Sequence, residues 1–477
     1  MILSEWKIKI YKKISITSQS KYILLYFSLL PFVLSQSLEI GSHFLSNKSQ
    51  PFWLVSNNHD IYQNGSVINF EYSNNRKFLD YGLNIALPID SPEMIFFNNA
   101  HIAFTKNNLF FSIGRKKFDN ENFTLSTGSM IESLNALPIP KVSFGIDEYH
   151  EIEIGTIKFF LNGDFAHGWL DKGQYIKAPF LHEKSIYIKK NFFDDYSFSL
   201  GLVHKVIWGG ETKSHGIQSS KFIDYTRVVF ARPGSKNSIE QEKENALGNH
   251  LGIWDFSIEK EFNSKLIRIF LEHPFEDESS ARWILNEYDG RYGISVVEKN
   301  SNILSHFVYE YINTMDQSGS EGASDSTYGW DNYYNHYIYQ SGWTYNNKVL
   351  GNPLFTLGSN KGRYSDNNYI INNRIRAHHI GLAGSVSNSI NFRMLLTYSE
   401  NFGIFPDEDY YNSINETYIF DGGLIQRSAL IEFTYSRFWR NLNLTIAYGL
   451  DSGELLTKTD SFVIKIDYKF KLWFNEY

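Results

Sequence analysis

The sequence predicts an all-β fold, a transmembrane antiparallel outer-membrane β-barrel with long extracellular loops and short helical insertions, and three observations lead there. Aromatic residues make up 17% of the 477 residues, with 31 Tyr and 38 Phe against 5 Met, a balance that favours strands over helices. Mean hydropathy is −0.32, and beyond the amino-terminal segment no run of about 18 apolar residues exists to span as a helix. Barrel strands, apolar on alternate residues only, remain allowed. The third observation is "SFVIKIDYKFKLWF", Ser461 to Phe474. As one strand it puts Phe462, Ile464, Ile466, Tyr468, Phe470, Leu472 and Phe474 on one face and Val463, Lys465, Asp467, Lys469, Lys471 and Trp473 on the other. That alternation outlasts an ordinary strand of about five or six residues. It is long enough to cross about 25 Å of hydrocarbon with tilt.

The amino terminus reads as a secretory signal. Lys7, Lys9, Lys12, Lys13 and Lys21 precede the apolar stretch Tyr22 to Leu34, which has the length of a signal-peptide apolar region and is too short to span. Val33 and Ser35 suit the peptidase positions, so cleavage is expected after Ser35, leaving residues 36–477 as one barrel domain.

Strand by strand the alternation recurs. "SVINFEY" sets Ile68, Phe70 and Tyr72 against Asn69 and Glu71, and "FLDYGLNIAL" sets Leu79, Tyr81, Leu83, Ile85 and Leu87 against Asp80, Gly82, Asn84 and Ala86, with a tight turn at Asn74-Asn75-Arg76. Late in the chain Ala429, Ile431, Phe433 and Tyr435 oppose Leu430, Glu432, Thr434 and Ser436. Leu442, Leu444, Ile446, Tyr448 and Leu450 then oppose Asn443, Thr445, Ala447 and Gly449. With the closing strand these make a meander, joined through Arg437–Asn441 and a connection opening at Asp451. Gln36 to Leu87 reads as extended. A soluble sandwich also alternates; strand length and the signal segment favour lipid.

The middle is less regular. A start at Ser238, Gln241 at the third helical position and Gly248 at the end predict a short helix, too polar for a core. Asn313 to Asn347 is a long insertion rich in Gly, Ser, Asp, Asn, Tyr and Trp, of a length that is usually functional or disordered.

Composition and motifs exclude much chemistry. A net charge of −7 gives no footprint for nucleic acid, and the absence of Cys removes disulfides and thiolate sites. No nucleophile elbow, phosphate loop, dinucleotide glycine pattern or metal-binding His spacing occurs, so no cofactor, no metal and no enzyme activity is expected. Glu276-Asp277-Glu278 reads as a solvated loop, and His378-His379 as structural histidines, since neighbours on a strand face opposite ways. The chemistry the chain does suit is sugar binding, with rings stacking on pyranose faces and amides or carboxylates meeting hydroxyls. Trp330, Asp331, Asn332, Tyr333, Tyr334, Trp343 and Tyr345 are the candidates for polysaccharide contact; an aromatic girdle at the membrane interface would use the same residue types.

Six blocks then occur in order: "NALPIPKVSFG" from Asn135, "DFAHGWLDKGQYIKAPFLHEKSIYIK" from Asp164, "GLVHKVIWGG" from Gly201, "GNHLGIWDFSIE" from Gly248, "YEYINTMDQSG" from Tyr309 and "DNYYNHYIYQSGWTY" from Asp331. Together they resemble the Wzi-type capsule assembly proteins between about Asn135 and Pro353. The resemblance implies an outer-membrane barrel of roughly 18 strands and a non-enzymatic lectin that holds capsular polysaccharide at the cell surface. Some members carry a periplasmic helical bundle near the amino terminus, which the extended reading of Gln36 to Leu87 speaks against. The partners expected are surface polysaccharide, outer-membrane lipid and the insertion machinery that reads an aromatic-ending last strand, here closing at Phe474 or Tyr477. A passive porin or uptake channel, with Asn84, Lys465 and Lys469 facing a wet lumen, is the competing expectation.

Overall fold

Backbone pairing runs unbroken around eighteen strands in the computed structural model, which describes residues 36–472 apart from 46–49, 60–65, 76–77, 90–94, 118–123, 171–174, 194, 213, 237, 277, 282–285, 301–302, 318–330, 359–369 and 406–417. The strands are β1 (Gln36–Leu45), β2 (Val67–Asn75), β3 (Leu79–Pro88), β4 (Phe96–Lys106), β5 (Leu109–Arg115), β6 (Lys141–Ile154), β7 (Ile157–Trp169), β8 (Phe180–Phe192) and β9 (Tyr196–Trp208). They continue as β10 (Asn249–Phe262), β11 (Lys265–Phe275), β12 (Gly290–Glu298), β13 (His306–Asn313), β14 (Ile375–Ser387), β15 (Ile390–Asn401), β16 (Leu424–Trp439), β17 (Leu442–Gly453) and β18 (Thr459–Leu472). Every strand is antiparallel to its sequence neighbour. β1 closes the sheet, with Ile40 opposite both Phe70 of β2 and Tyr468 of β18. Residues 1–35, expected to be a signal peptide, and Trp330, Trp473, Phe474 and Tyr477 lie outside the described residues.

The alternating faces fall as the sequence predicts. On β17, Ile446, Tyr448 and Leu450 are exposed outward at 40–49% while Thr445 and Ala447 are buried inward. On β18, Phe462 is outward, and Val463, Lys465 and Asp467 face the lumen, where Lys465 meets Glu432 at 3.5 Å and Asp467 meets His43 at 3.7 Å. Outward Phe70, Ile102, Phe111, Phe144, Ile186, Ile258, Ile269 and Phe433 continue the apolar belt round the wall. A soluble protein would not leave so continuous a belt to water.

Connections are sorted by length. At one end lie tight turns: Asn107-Asn108, Gly155-Thr156, Asn263-Ser264 and Arg440-Asn441. Asn107 (φ 52°) and Asn108 (φ 64°) both adopt the left-handed region that a two-residue hairpin needs and Asn tolerates. At the other end lie the long loops, including 116–140, 209–248 and 314–374. Outer-membrane barrels put short turns in the periplasm and long loops outside, which orients the molecule.

Two details differ from the sequence reading. β16 continues through Trp439, past an irregularity in its register with β17 between Tyr435 and Trp439, so the meander turn is only Arg440-Asn441. The polar helix is the single turn α3 (Glu240–Glu244), and its Glu242 is buried, at 1% exposure. Two further elements escaped the alternation pattern: α1 (Phe52–Val55), between β1 and β2, and α2 (Phe222–Val229). A fourth short helix, α4 (Glu278–Ala281), follows β11.

Lumenal charges pair around the wall. Arg291 on β12 holds Glu272 of β11 and Glu310 of β13, each at 2.5 Å, with all three buried. Lys141 and Lys205 share Glu183 at 2.5 and 2.7 Å, and Arg393 and Lys465 share Glu432 at 3.1 and 3.5 Å. Removing one partner strands its buried counter-ions, a loss of about 3–5 kcal/mol. Arg291→Met is therefore expected to lower the urea midpoint of the refolded barrel strongly, and adding Glu272→Gln with Glu310→Gln is expected to restore most of it. Ile446→Lys, which puts a charge against lipid at about 2–4 kcal/mol near the midplane, is expected to block heat-modifiable assembly on gels, whereas lumen-facing Thr445→Lys leaves it intact.

Candidate functional site

The lumen is filled at mid-height by segments distant in sequence. Residues 124–140, between β5 and β6, cross the barrel interior. His379 of β14 donates from Nε2 to the carbonyl of Leu125 (2.9 Å). Glu310 accepts from Ser126 Oγ (2.5 Å) and the Thr127 backbone N–H (2.8 Å), and Glu272 accepts from the Met130 N–H (2.9 Å). Glu132 then reaches Lys205 on β9. The carboxylates that Arg291 holds thus also bind the plug. Its close approach requires Gly381, where any side chain would strike the Leu125 carbonyl at 2.1 Å.

α1 enters the same space from the loop after β1. The Phe52 N–H donates to Asp451 Oδ2 at 2.8 Å, Trp53 Nε1 donates to Thr397 Oγ1 at 2.9 Å, and Leu54 packs against Gly449. His378 and His379 do face opposite ways. His379 is fully buried inside, and His378 is near Tyr309 and Tyr311 outside. Glu276 accepts the Tyr334 N–H at 2.7 Å, so the first of the three acids anchors a loop; Asp277 is outside the described residues.

The predicted sugar-contact cluster lies on the third piece of the plug. Tyr333, Tyr334, Trp343 and Tyr345 are 0–1% exposed, and Asp331 is buried while Asn332 is half-buried. Trp343 Nε1 donates to the Ile131 carbonyl (2.9 Å), Tyr334 Oη to that of Met130, and Tyr333 Oη to Asp289 Oδ2 (2.9 Å). Arg115 donates to Tyr345 Oη at 2.7 Å, and Asn332 Oδ1 accepts from Asn335 and Asn373 at 2.9 and 2.6 Å. These rings are packed against 124–140 and offer no open face; they fasten the outer loop to the plug.

Two cavities result. Below the plug, opening toward the short-turn end, is a chamber of about 870 Å³ lined by charged groups including Glu71, Asp80, Lys117, Lys141, Glu183 and Arg268. Several of its charges are paired, with Asp80 between His101 (3.2 Å) and Lys116 (2.8 Å) and Arg268 near Asp255 (3.9 Å). Above the plug, at the long-loop end, is a pocket of about 400 Å³. Thr397, Ser399 and Asn401 of β15 and Gln426 and Ser428 of β16 form its hydroxyl and amide wall, with the Asp451 carboxyl of β17 beside them, Phe52 and Phe355 form its apolar side, and Asn347, Lys348 and Thr457 lie among its more exposed residues. Asn346 (φ 49°) and Asn347 (φ 58°) make the hairpin turn that presents Lys348. Rings, amides and hydroxyls around a concave space are the groups that meet a sugar's apolar face and its hydroxyls. Sequence reasoning missed this pocket, although Gln426 and Ser428 continue the inward parity of Leu430 and Glu432.

Two carboxyls above the membrane are pushed up by burial, Asp289 beside Tyr333 and Glu242 on α3. Burial pushes the Glu242 carboxyl up to about 7, helped by Asp224 and opposed by the Gly248 N–H; Tyr337 and Tyr339 lie within its electrostatic reach.

The capsule assembly protein Wzi model matches residues 60–360, which is more than half the chain. The chain belongs to the Wzi capsule assembly family. Among solved structures, the Escherichia coli outer-membrane protein Wzi, described as involved in group 1 capsule assembly and as a carbohydrate-binding β-barrel, aligns at 12% identity and TM-score 0.56, over 95% of this chain and 89% of that one. OprD of Pseudomonas aeruginosa aligns at 8% identity and TM-score 0.45, over 92% of this chain and 93% of that one. No curated protein sequence matches. The protein is accordingly an outer-membrane barrel. The Wzi match takes in the plug segment 124–140 and the loop cluster 331–357, whereas β15, β16 and β17, which wall the outer pocket, lie beyond it.

Because folded Glu242 holds its proton up to about pH 7, against about 4.3 for an unfolded Glu, the folded state binds more protons in that window. The contribution of Glu242 to stability is therefore greatest at low pH and declines as pH rises from about 4 to about 7. Hydrogen-exchange protection of residues 232–248 is expected to be lower at pH 8 than at pH 5.5, and Glu242→Gln is expected to flatten that difference.

Proposed function

We propose that this protein binds capsular polysaccharide at the cell surface through the pocket above the plug and acts in capsule assembly and attachment without catalysis. The observation that carries the reading is the pocket itself: about 400 Å³ at the long-loop end, walled by Asn401, Gln426, Ser399 and Ser428 with Phe52 and Phe355 beside them. The family match supplies the capsule context, and the family-matched loop contributes Asn347 and Lys348 to the pocket. In this reading Tyr333, Tyr334, Trp343 and Tyr345 serve the site indirectly, by holding that loop at a fixed height over the plug. Half-buried Asn332 and buried Asp331 belong to the same support.

The channel reading is disfavoured by the packing at mid-lumen. The plug binds wall residues of β9, β11, β13 and β14, and the chamber below it ends against Ser126, Ser129, Ile131 and Glu132. Planar-bilayer recordings are expected to show no large steady conductance; steady open currents in the nanosiemens range, about the scale of an open porin, would return the channel to first place.

The binding test uses purified protein with capsule from its own cell. Asn347→Gly keeps the left-handed turn while removing the amide; together with Lys348→Ala and Thr457→Ala it is expected to reduce glycan binding at least about tenfold, the size of one or two lost polar contacts. Heat-modifiable migration should stay normal. Cells carrying that variant are expected to release capsule into the medium with synthesis unchanged. Undiminished binding would remove this pocket from consideration.

A further inference from the structure

The loop 209–248 does not stay above the barrel; it places α2 against the outside of the wall. On β8 and β9 the outward positions nearest the loops are His182, Lys184, His204, Val206 and Trp208. Of these His182, His204, Val206 and Trp208 are buried, although they point away from the lumen. What buries them includes α2. Its Tyr225 ring stacks on Trp208 with centroids 5.4 Å apart and meets His182 edge-on at 5.6 Å. Val228 is fully buried, and Lys184 Nζ donates to the Val229 carbonyl. Lower on the same strands the outward residues Ile186, Ile188 and Phe198 are exposed and belong to the apolar belt. The helix therefore sits at the belt's upper rim, where headgroups meet acyl chains.

The other side of α2 is unusual for a solvent loop. Phe222, Ile223 and Phe230 are 82%, 58% and 69% exposed. From Lys221 to Lys236 the chain carries Lys221, Arg227, Arg232 and Lys236 against a single acid, Asp224. That acid is buried and spent on capping the helix, accepting the Lys221 N–H at 3.0 Å. A short helix with exposed aromatic residues, flanked by basic side chains and continuous with a lipid-facing belt, has the makeup of an interfacial anchor.

We propose that α2 lies in the outer-leaflet interface, with Phe222, Ile223 and Phe230 inserted among acyl chains and Lys221, Arg232 and Lys236 on the phosphates of anionic lipid headgroups. The inference is independent of the glycan pocket, which lies on the opposite part of the wall at β15 to β17.

The chain has no cysteine, so single cysteines can be read without background. Phe222→Cys, Ile223→Cys and Phe230→Cys, each carrying an environment-sensitive fluorophore, would be reconstituted in vesicles of phosphatidylcholine alone or mixed with phosphatidylglycerol. Ile258→Cys in the belt and Glu240→Cys on α3 are the references, and heat-modifiable migration verifies each barrel. Spin-labelled lipid is expected to quench positions 222, 223 and 230 at least half as strongly as 258, and aqueous iodide to quench only 240. Phosphatidylglycerol is expected to increase the lipid quenching at 222, and Lys221→Gln with Arg232→Gln to abolish that increase. Iodide quenching at all three positions would overturn the proposal in favour of an exposed loop. Self-quenching that grows with protein density, without lipid quenching, would overturn it in favour of a contact between copies. Equal lipid quenching in both vesicle types would overturn the assignment of the basic residues.

Discussion

Hydrocarbon offers no hydrogen bonds, so a chain that crosses it by strands must leave no strand edge. The pairing of β1 with both β2 and β18 meets that demand, and the remaining features follow from it. A closed sheet has two faces with opposite solvents, so each strand alternates between lipid and lumen. The lumen then receives residues that lipid rejects, and at this width they cannot all be solvated separately. They pair across strands instead, and the carboxylates of Glu272 and Glu310, fixed by Arg291, become the hooks on which residues 126–130 hang.

The plug converts a tube into two unlike compartments. The lower one is rich in charge, with lumen-facing Lys116, Lys117, Lys141, Lys205, Arg268 and Arg291 each beside an acid. The upper one is walled mainly by uncharged amides and hydroxyls. A neutral polar wall binds through directional hydrogen bonds that depend little on salt, in contrast to the screened charges below.

Period-two alternation made the strands and their faces legible, because lipid on one side and water on the other leave a strong contrast at Phe462 and Lys465 or Ile446 and Thr445. Family blocks added the strand number, which alternation could not supply. The lumenal pairing was not legible: Arg291 meets Glu272 and Glu310 only through register, and register is not written in any single strand. Nor was the burial of Tyr333, Tyr334, Trp343 and Tyr345, since a loop reaching out to a sugar and a loop folded into a lumen have the same composition. α2 was hidden for a different reason. Phe222, Ile223, Val228 and Val229 are strand formers by type, and what sets them in a helix on the wall is the Asp224 cap and the stacking of Tyr225 on Trp208. The outer pocket draws on α1, a hairpin turn and three late strands, so no local stretch announces it.

The plug's anchors also set an order of events. Ser126 must find Glu310, and Leu125 must find His379, partners 184 and 254 residues further along the chain. Until β13 and β14 are in place, residues 125–127 lack the wall partners that hold them, although Met130 and Glu132 already have theirs on β11 and β9. Loop-closure entropy of that span is repaid only when the far wall arrives. The plug's seat is complete only when β9, β11, β13 and β14 all stand in the wall, so a barrel that lacks any of them is the more open for it.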